Sequence, residues 1–367
     1  MSSYAEVMAR VWNGRHLFSV LLELTYRCNL DCFFCYNDLG LRGRQLRLPE
    51  YRRLFAELRR LGTLNLTLSG GEPLAHPDFF AIGAHARERG FVVRIKTNGH
   101  ALGPRLAGRI KTAIDPFILE VSLHGAQAST HDRQTRVPGS FDRLLRNLHG
   151  MRTVGLRVQL NSTLTAWNES EIDQMFALAD CLGLPLQMDS RVTPRDDGDT
   201  DPLSIAPSPE GIYRLIRLQR QRLASGDQGS PAPADQAAAT AIRNHCGAGT
   251  STLTIDPYGN VYPCVQWRRS LGNLFERDLT EIWQGSPALE EVRGITEGVA
   301  DRIRALGPQG RVAGFCPGFA EQTQGSAVSL DPVTAQRLRI YSSLELAERN
   351  VTKGPPTDAK PWTFPAQ

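Results

Sequence analysis

The sequence predicts an α/β fold, in which a parallel sheet curves into a partial (βα)6 barrel and a smaller C-terminal domain of one β-hairpin and helices follows. In the first half, short apolar runs alternate with helical patterns six times, as the strand–helix–strand units of a parallel sheet do. In the second half, two short strands flank the turn DPYGN at 256–260. The seven cysteines form one group in each half, with a single cysteine between them.

The strands of the barrel are predicted from short apolar runs, and the helices from apolar residues spaced three and four apart. In the TIM type of barrel, chemistry takes place at the carboxyl ends of the strands. Pro49 suits the first turn of the first of these helices, and Gly62 suits its end. The predicted strands are Phe18–Leu24, Leu64–Leu68, Phe91–Thr97, Phe117–Leu123, Leu156–Thr163 and Leu184–Asp189, and the helices are Pro49–Leu61, Pro77–Arg89, 103–113, Ser140–Val154 and Glu169–Leu182.

Composition changes mark the predicted domain boundaries. A loop rich in proline and aspartate at 191–209 leads to a basic helix at 209–224, and the run SGDQGSPAPADQAAAT at 225–240 is typical of a linker. The hairpin Thr252–Cys264 and helices at 279–284 and 333–349 follow, before a proline-rich tail at 354–367. We therefore divide the chain into a lead-in (1–17), the barrel (18–224), the linker (225–240), a second domain (241–330) and a C-terminal helix with its tail (331–367).

Composition excludes several classes of protein. With 367 residues, 41% hydrophobic and 22% charged, the chain is neither disordered nor fibrous. It has no run of about 18 apolar residues, so we expect no contact with a membrane. The net charge of +4 is spread along the chain, which disfavours nucleic-acid binding. An odd number of cysteines without a secretory signal favours metal or redox chemistry in the cytoplasm over disulfides.

The first cysteine group lies in the segment TYRCNLDCFFCYN at 25–37, directly after the first predicted strand. Cys28, Cys32 and Cys35 are spaced C-x3-C-x2-C, and three thiolates on one tight loop can hold three irons of a cubane cluster and leave the fourth open. A zinc site with a distant fourth ligand, or three unrelated cysteines, are the alternatives.

This segment resembles the signature of the radical SAM superfamily, with Phe34 as the aromatic residue before the last cysteine. Three further motifs follow in the order of that superfamily, each at the end of a predicted strand. They are SGGEPL at 69–74, KTNG at 96–99 and VSLHG at 121–125, and the resemblance covers about residues 18–190.

The resemblance implies a role for each motif. Cys28, Cys32 and Cys35 would bind a 4Fe–4S cluster whose open iron chelates S-adenosylmethionine (SAM), and electron transfer would then cleave SAM to a 5′-deoxyadenosyl radical. The glycine–glycine–glutamate motif would meet the SAM amino group, the glycines by letting the backbone approach closely. The SAM-binding residues implied are Gly70, Gly71 and Glu72 at the amino group, Asn98 and Ser122 near the ribose, and Phe34 and Tyr36 beside the adenine.

Some of these residues also have a purely structural interpretation. Glu72 could be a carboxylate that caps a helix, and Asn98 and Ser122 could satisfy backbone groups at a strand end. His124 stands where many members of the superfamily carry aspartate. It is our candidate catalytic acid or base, with a packed structural histidine as the alternative.

The second cysteine group resembles a SPASM-type auxiliary iron–sulfur domain. It comprises Cys246 and Cys264 at the two ends of CGAGTSTLTIDPYGNVYPC, with Gly259 at the turn, and Cys316 in a later loop. A full SPASM domain carries seven cysteines and two clusters, so this shorter set, as in Twitch-type domains, would hold one auxiliary 4Fe–4S cluster. His245 and Asp256 are candidates for the fourth ligand of this cluster. The alternatives to an iron–sulfur cluster are a zinc site at the same three cysteines or a domain without metal.

The SPASM resemblance implies modification of a ribosomally synthesised peptide by crosslinking, epimerisation or oxidation. The alternative is a radical dehydrogenase, epimerase or decarboxylase that acts on a small metabolite such as an aminoglycoside or nucleoside. A reducing partner of the flavodoxin or ferredoxin type is expected. Because no peptide-recognition domain precedes residue 18, we also expect a separate peptide-carrier protein. Cys181 lies in an apolar helix and is predicted to be a packed thiol.

Overall fold

The computed structural model describes residues 4–224, 245–306, 310 and 314–352. The predicted linker at 225–240 and the tail at 354–367 lie outside the described residues, so the domain boundary between 224 and 241 stays a prediction. Every helix in the described ranges is too short or too polar to cross a membrane.

The barrel strands form where the apolar runs predict them. Side chains alternate along each strand, so that one face packs on the helices and the other lines the inside of the curved sheet. The strands are β1 (Ser19–Glu23), β2 (Asn65–Ser69), β3 (Val92–Thr97), β4 (Ile118–Ser122), β5 (Val158–Thr163) and β6 (Leu186–Asp189).

Helices connect these strands and cover the outer face of the sheet. Two helices of the first half have no counterpart in the predicted set: α1 precedes the barrel, and α5 is short and polar, with no apolar stripe. The helices are α1 (Tyr4–Asn13), α2 (Leu48–Arg60), α3 (Phe79–Glu88), α4 (Pro104–Ala113), α5 (Ala128–Thr135), α6 (Ser140–Thr153), α7 (Ile172–Leu182) and α8 (Pro209–Ala224), with 3-10 turns at Pro73–Ala75, Glu169–Glu171 and Asp201–Ile205.

The second half adds three strands and four helices within the described residues. The long helix α10 and the short helix α11 were not predicted, although Leu289, Val292 and Val299 give α10 a buried face at helical spacing. The elements are β7 (Thr252–Ile255), β8 (Asn260–Tyr262), β9 (Gly272–Asn273), α9 (Leu279–Gly285), α10 (Pro287–Ala305), α11 (Pro317–Gln324) and α12 (Pro332–Thr352).

In the described chain, the nine strands form one sheet in the order β6-β5-β4-β3-β2-β1-β7-β8-β9. Strands β1 to β6 are parallel, which confirms the predicted partial barrel. Strand β7 also pairs in parallel with β1, from Ser19↔Thr252 to Leu22↔Ile255. The C-terminal hairpin therefore continues the barrel sheet. Leu164 of the barrel and Leu253 and Val261 of the hairpin belong to one apolar core.

We expect a chain truncated to residues 1–224 not to fold on its own. It lacks β7, so β1 becomes an unpaired edge whose backbone groups and neighbouring apolar side chains face solvent. Near-UV circular dichroism and size-exclusion chromatography measure the outcome. A monomer of 1–224 that unfolds cooperatively would contradict the prediction.

Candidate active site

The loop that carries the first three cysteines leaves the carboxyl end of β1. Backbone hydrogen bonds fix it against the end of α5, from Asp31 N to Thr135 O at 3.1 Å and from Phe33 N to Gln134 O at 3.0 Å. Cys28, Cys32 and Cys35 all line one cavity of about 530 Å³ at this end of the sheet. Folding alone therefore brings the three predicted ligands to one place.

The thiols of this group are close enough to influence one another. Burial raises the pKa of Cys32 well above its ordinary value, and the charges of Cys35 and Cys28 raise it further. Burial likewise raises the pKa values of Cys28 and Cys35. Three such sites become thiolates together only when a cation compensates their charge, as iron does.

The two glycines of the SGGEPL motif pack against the backbone of the cysteine loop. A Cβ on Gly70 would lie 2.3 Å from Thr25 O, and a Cβ on Gly71 would lie 2.6 Å from Arg27 O. Gly70 also has φ +128°, which disfavours other residues. The close approach that requires glycine here is thus between two protein segments, although both glycines also line the cavity.

The Glu72 carboxylate is buried at the ends of β2 and β3. It accepts hydrogen bonds from Thr97 Oγ1 and Asn98 N, both at 2.9 Å, and from Leu74 N at 3.2 Å, which caps the 3-10 turn. Burial raises the pKa of Glu72 to about 7, although these hydrogen bonds lower it. Glu72 is not among the residues that line the cavity, so the capping interpretation fits this structure, and contact with the SAM amino group stays a prediction.

Asn98 and Ser122 both line the cavity. Asn98 Nδ2 lies 3.6 Å from Cys28 Sγ and donates to Asn29 Oδ1 at 2.9 Å. The Asn98 amide therefore orients the first cysteine, a contact that the sequence alone did not predict.

Phe34, Tyr36 and His124 all line the cavity, with Phe34 next to His124 and Tyr36 next to Glu23. The rings of Phe34 and His124 meet edge to face at 4.7 Å, while Tyr36 OH lies 3.4 Å from the buried carboxylate of Glu23. Burial lowers the pKa of His124 to about 3, and nearby His131 lowers it further, so the imidazole is neutral at pH 7. Tyr36 is thus held on the β1 side.

The inner face of the sheet is polar, which the alternation in VVRIKT and VQLNST already indicates. Glu120 lies at its centre and accepts hydrogen bonds from Arg94, from Lys96 at 2.7 Å and from Asn161 at 2.8 Å. Burial favours the neutral acid, but the charges of Lys96 and Arg94 hold the pKa of Glu120 below its ordinary value. The sequence analysis missed this group.

The second cysteine group also comes together. Burial raises the pKa of Cys264, and the charges of Cys316 and Cys246 raise it further. Burial raises the pKa of Cys246 to about 11. The hairpin turn brings Cys264 back towards Cys246. Helix α11 positions Cys316, whose Sγ accepts a hydrogen bond from Phe319 N at 3.5 Å.

The structure changes the expectations for Asp256 and Cys181, and it shows a backbone contact for His245. Asp256 is engaged by its own hairpin, accepting hydrogen bonds from Tyr258 N at 2.8 Å, Asn260 N at 2.9 Å and Asn260 Nδ2 at 2.7 Å, so it is a turn residue rather than a ligand. His245 Nε2 lies 2.7 Å from Phe315 O and joins the segments that carry Cys246 and Cys316. Cys181 is exposed on α7, so the prediction of a packed thiol is wrong.

A buried arginine joins the two halves of the site. Arg268 bonds both oxygens of Glu23, at 2.9 and 2.8 Å, and pairs with Asp196 at 2.8 Å. Asp196 N in turn donates to Tyr36 O at 2.8 Å. Burial raises the pKa of Asp196 to about 7 although Arg268 opposes the shift. The pattern of the sequence could not show this group, since Glu23 and Arg268 are 245 residues apart.

This arginine holds the segment after Cys264 over the cavity, where Val265 and Gln266 form part of the lining. Four polar atoms of the lining residues are buried without a hydrogen-bond partner in the described part of the chain: Asn37 Oδ1, His124 Nδ1, Arg191 Nε and Gln266 Oε1. Buried polar atoms are rarely left unpaired, so the cavity suits a polar ligand such as SAM.

Neither cysteine group converges on a single ion. Among the described residues, no three side chains of histidine, cysteine, aspartate or glutamate are close enough to hold one metal ion. A cubane, whose ligated irons lie at separate corners, does not need such convergence.

Comparison with known proteins gives two family matches. Residues 22–179 match the radical SAM superfamily, and residues 246–305 match the SPASM iron-sulfur cluster-binding domain. The first match implies a 4Fe–4S cluster with SAM, and the second implies auxiliary iron–sulfur clusters.

Three curated proteins are similar over most of their length. Mycofactocin maturase MftC of Mycobacterium tuberculosis H37Rv is 31% identical over 74% of this chain and 71% of that protein. The AdoMet-dependent heme synthase of Methanosarcina barkeri is 28% identical over 74% of this chain and 83% of that protein. PqqA peptide cyclase of Ruegeria pomeroyi is 28% identical over 87% of each chain.

Solved structures support the fold. The structure of anSMEcpe with bound AdoMet matches with a TM-score of 0.70 at 15% identity, over 91% of this chain and 94% of that chain. Streptococcus suis SuiB bound to S-adenosylmethionine matches with a TM-score of 0.62 at 17% identity, over 77% and 70%. At this level of identity the likeness concerns the fold alone.

We expect Arg268→Met to lower the free energy of unfolding by about 3 to 5 kcal/mol, because Glu23 and Asp196 lose their buried counter-charge. Urea denaturation followed by tryptophan fluorescence measures the change. Arg277→Met is the control, since it removes only an exposed pair with Glu281 and should cost at most about 1 kcal/mol. Equal losses in the two variants would contradict the structural role of Arg268.

We expect Gly71→Ala to displace the cysteine loop, because the new Cβ meets the carbonyls of Arg27 and Tyr26. The cost should be about 1 to 3 kcal/mol, with less iron bound after anaerobic reconstitution. Thermal denaturation and iron analysis measure both effects. Gly108→Ala in α4 is the control, since its Cβ meets no atom within 4 Å. The prediction fails if Gly71→Ala retains the iron content and stability of Gly108→Ala.

Proposed function

The chain belongs to the radical SAM superfamily, and from that membership we propose that it modifies a ribosomally synthesised peptide at an unactivated carbon by crosslinking, epimerisation or oxidation. One observation supports this proposal most directly. Cys28, Cys32 and Cys35 line one cavity, and Val265 and Gln266, which directly follow Cys264 of the second group, line it as well. A bound substrate would therefore lie between the radical-generating site and the auxiliary site.

The similar proteins favour a peptide substrate. MftC is named a mycofactocin maturase and the Ruegeria pomeroyi protein is named a PqqA peptide cyclase, and both align with most of this chain. The AdoMet-dependent heme synthase is nearly as similar, so a small-molecule substrate is the second candidate. Testing the purified enzyme against each substrate class separates the two.

We assign Cys28, Cys32 and Cys35 as ligands of the SAM-binding 4Fe–4S cluster. When bound and reduced, that cluster supplies the electron that cleaves SAM to methionine and a 5′-deoxyadenosyl radical, which takes hydrogen from the substrate. The chain itself contributes position and a shielded environment. Asn98 orients Cys28, the backbone at Gly70 and Gly71 shapes the wall, and Ser122 presents a hydroxyl to the cavity.

His124 is suited to hydrogen bonding rather than to carrying charge. Its imidazole is neutral at pH 7, and its Nδ1 is buried without a partner among the described residues. We therefore propose that it binds a polar group of SAM or of the substrate. Phe34 holds the ring in place by an edge-to-face contact at 4.7 Å, and Tyr36 lines the same cavity.

We assign Cys246, Cys264 and Cys316 as ligands of an auxiliary iron–sulfur cluster. Three cysteines leave one iron without a protein thiolate, and the Asp256 carboxylate is engaged by its own turn. The described residues around these cysteines thus point to an exchangeable fourth ligand, such as the substrate or water. A substrate radical formed in the cavity would lie beside this redox site.

The reaction requires partners that the chain does not contain. A peptide substrate, a separate peptide-carrier protein and a flavodoxin- or ferredoxin-type reductant are proposed. A reducing cytoplasm suits exposed cluster ligands such as Cys28.

We expect the wild-type enzyme, given SAM, a reductant and a precursor peptide encoded beside its gene, to produce 5′-deoxyadenosine and a modified peptide. A variant with Cys28, Cys32 and Cys35 replaced by alanine should produce neither. Cys264→Ala should still release 5′-deoxyadenosine but lose at least about tenfold of the peptide product, because the auxiliary site is damaged. Liquid chromatography with mass spectrometry measures both products.

Cys181→Ala is the matched control for loss of a thiol, since Cys181 is exposed on α7, and it should behave as wild type. If the triple variant still releases 5′-deoxyadenosine, the assignment of the first group is wrong. If Cys264→Ala modifies the peptide at the wild-type rate, the auxiliary role is wrong.

A further inference from the structure

An arginine-rich surface surrounds the exposed side of the cysteine loop. It consists of Arg27, Arg133, Arg136 and Arg143, all exposed, which we call the arginine rim. Arg27 directly precedes Cys28, the exposed member of the first group. The rim thus encloses the point where the candidate cluster site comes nearest to solvent.

Two of these arginines are fixed by aromatic rings. The Arg136 guanidinium lies 4.7 Å from the centre of the Phe33 ring, and that of Arg133 lies 4.0 Å from the Trp167 ring. The two rings themselves pack at 5.0 Å. Because Phe33 lies between Cys32 and Phe34, this layer rests directly on the cysteine loop. Cations held on rings are preorganised, so little conformational freedom is lost when a partner binds.

Arg143 approaches the same loop from α6. One turn further along this helix, Asn147 Nδ2 donates to Gly99 O at 2.9 Å and to His100 O at 3.0 Å. His100 Nδ1 lies 3.0 Å from Asn29 Nδ2, next to Cys28. These contacts place the first turn of α6 beside the loop.

The rim has a surplus of positive charge. Arg136 pairs with Asp31 at 3.4 Å, and in the described chain no carboxylate pairs with Arg27, Arg133 or Arg143. The nearby Asp132 is used internally, since it accepts hydrogen bonds from Gly139 N at 2.6 Å and Phe141 N at 2.8 Å. An acidic partner would therefore meet three guanidinium groups that form no ion pair within the described part of the chain.

We propose that the arginine rim docks an acidic one-electron donor protein of the flavodoxin type. The donor is oxidised by one electron and the cluster held by Cys28, Cys32 and Cys35 is reduced by one electron. This inference rests on the proposed function, because it takes that cluster as the acceptor. The rim lies outside the substrate cavity, on the exposed side of the same loop, so an electron donor and a substrate do not compete.

The test compares two charge reversals in the holoenzyme. Arg133→Glu changes the rim, whereas Arg60→Glu reverses an exposed arginine in the last turn of α2, which leads into the amino end of β2. We expect Arg133→Glu to raise the Kd for reduced flavodoxin about tenfold at low salt, and Arg133→Glu/Arg143→Glu to raise it further. Added salt should weaken the binding of flavodoxin to the wild type and reduce the difference in Kd between the wild type and Arg133→Glu. Arg60→Glu should bind as wild type.

A second readout separates docking from damage to the site. The rate of 5′-deoxyadenosine release should fall about tenfold in Arg133→Glu with flavodoxin, but remain unchanged with reduced methyl viologen, a small donor that needs no docking surface. The proposal would be overturned if Arg133→Glu lowered the rate of 5′-deoxyadenosine release with both donors, or if Arg60→Glu had an equal effect. It would also be overturned if Arg133→Glu changed the KM for the precursor peptide and left the Kd for flavodoxin unchanged. If the wild type releases no 5′-deoxyadenosine with methyl viologen, the proposed function fails, and the Kd comparison still decides the docking.

Discussion

The buried contact between Arg268 and Glu23 determines how the two halves of the site face each other. Glu23 ends the first strand two residues before the cysteine loop begins, and Arg268 follows Cys264 by four residues. Both side chains are almost fully buried, so neither charge can be solvated by water. Each charge is therefore stabilised by its partner in the ion pair. Asp196 adds the loop after β6 to the same arginine. A single guanidinium thus gathers three distant segments around one cavity, and an arginine suits this place because its planar fork can bond two carboxylates.

The chemistry of the cavity follows from the geometry of a parallel sheet. Strands that run in one direction bring their carboxyl ends together, so that the motifs at 69–74, 96–99 and 121–125 meet the cysteine loop. The chain positions and shields these groups. Neighbouring side chains fix each of these groups. The imidazole of His124 is buried and neutral, the amide of Asn98 donates a hydrogen bond to Asn29, and Glu120 forms ion pairs. The continuation of this sheet through β7 explains how a hairpin from the far end of the chain reaches the same edge.

Features set by local spacing could be predicted from the sequence, and features set by distant contacts could not. The six barrel strands, the first cysteine loop and the hairpin each depend on patterns within about fifteen residues. The role of Arg268 depends on a partner in the first strand, and the pairing of β7 with β1 joins segments that are far apart in the sequence. Asp256 shows the opposite difficulty, because a carboxylate beside a cysteine motif resembles a ligand until its own turn is seen to engage it. At Gly70 and Gly71 the sequence predicts close approach to SAM, which stays a prediction, whereas the structure shows close approach to the backbone of Thr25 to Arg27.

Our proposal is that Cys28, Cys32 and Cys35, which line the cavity, hold a cluster that binds SAM, and that Cys246, Cys264 and Cys316 hold an auxiliary cluster next to Val265 and Gln266 of the same cavity. Electron paramagnetic resonance of the anaerobically reconstituted and reduced enzyme, recorded with and without SAM, tests it most directly. We predict signals from two 4Fe–4S clusters, of which SAM changes only the one that is absent from the variant lacking Cys28, Cys32 and Cys35. A single cluster accompanied by zinc at Cys246, Cys264 and Cys316, or a spectrum that SAM leaves unchanged, would contradict the claim.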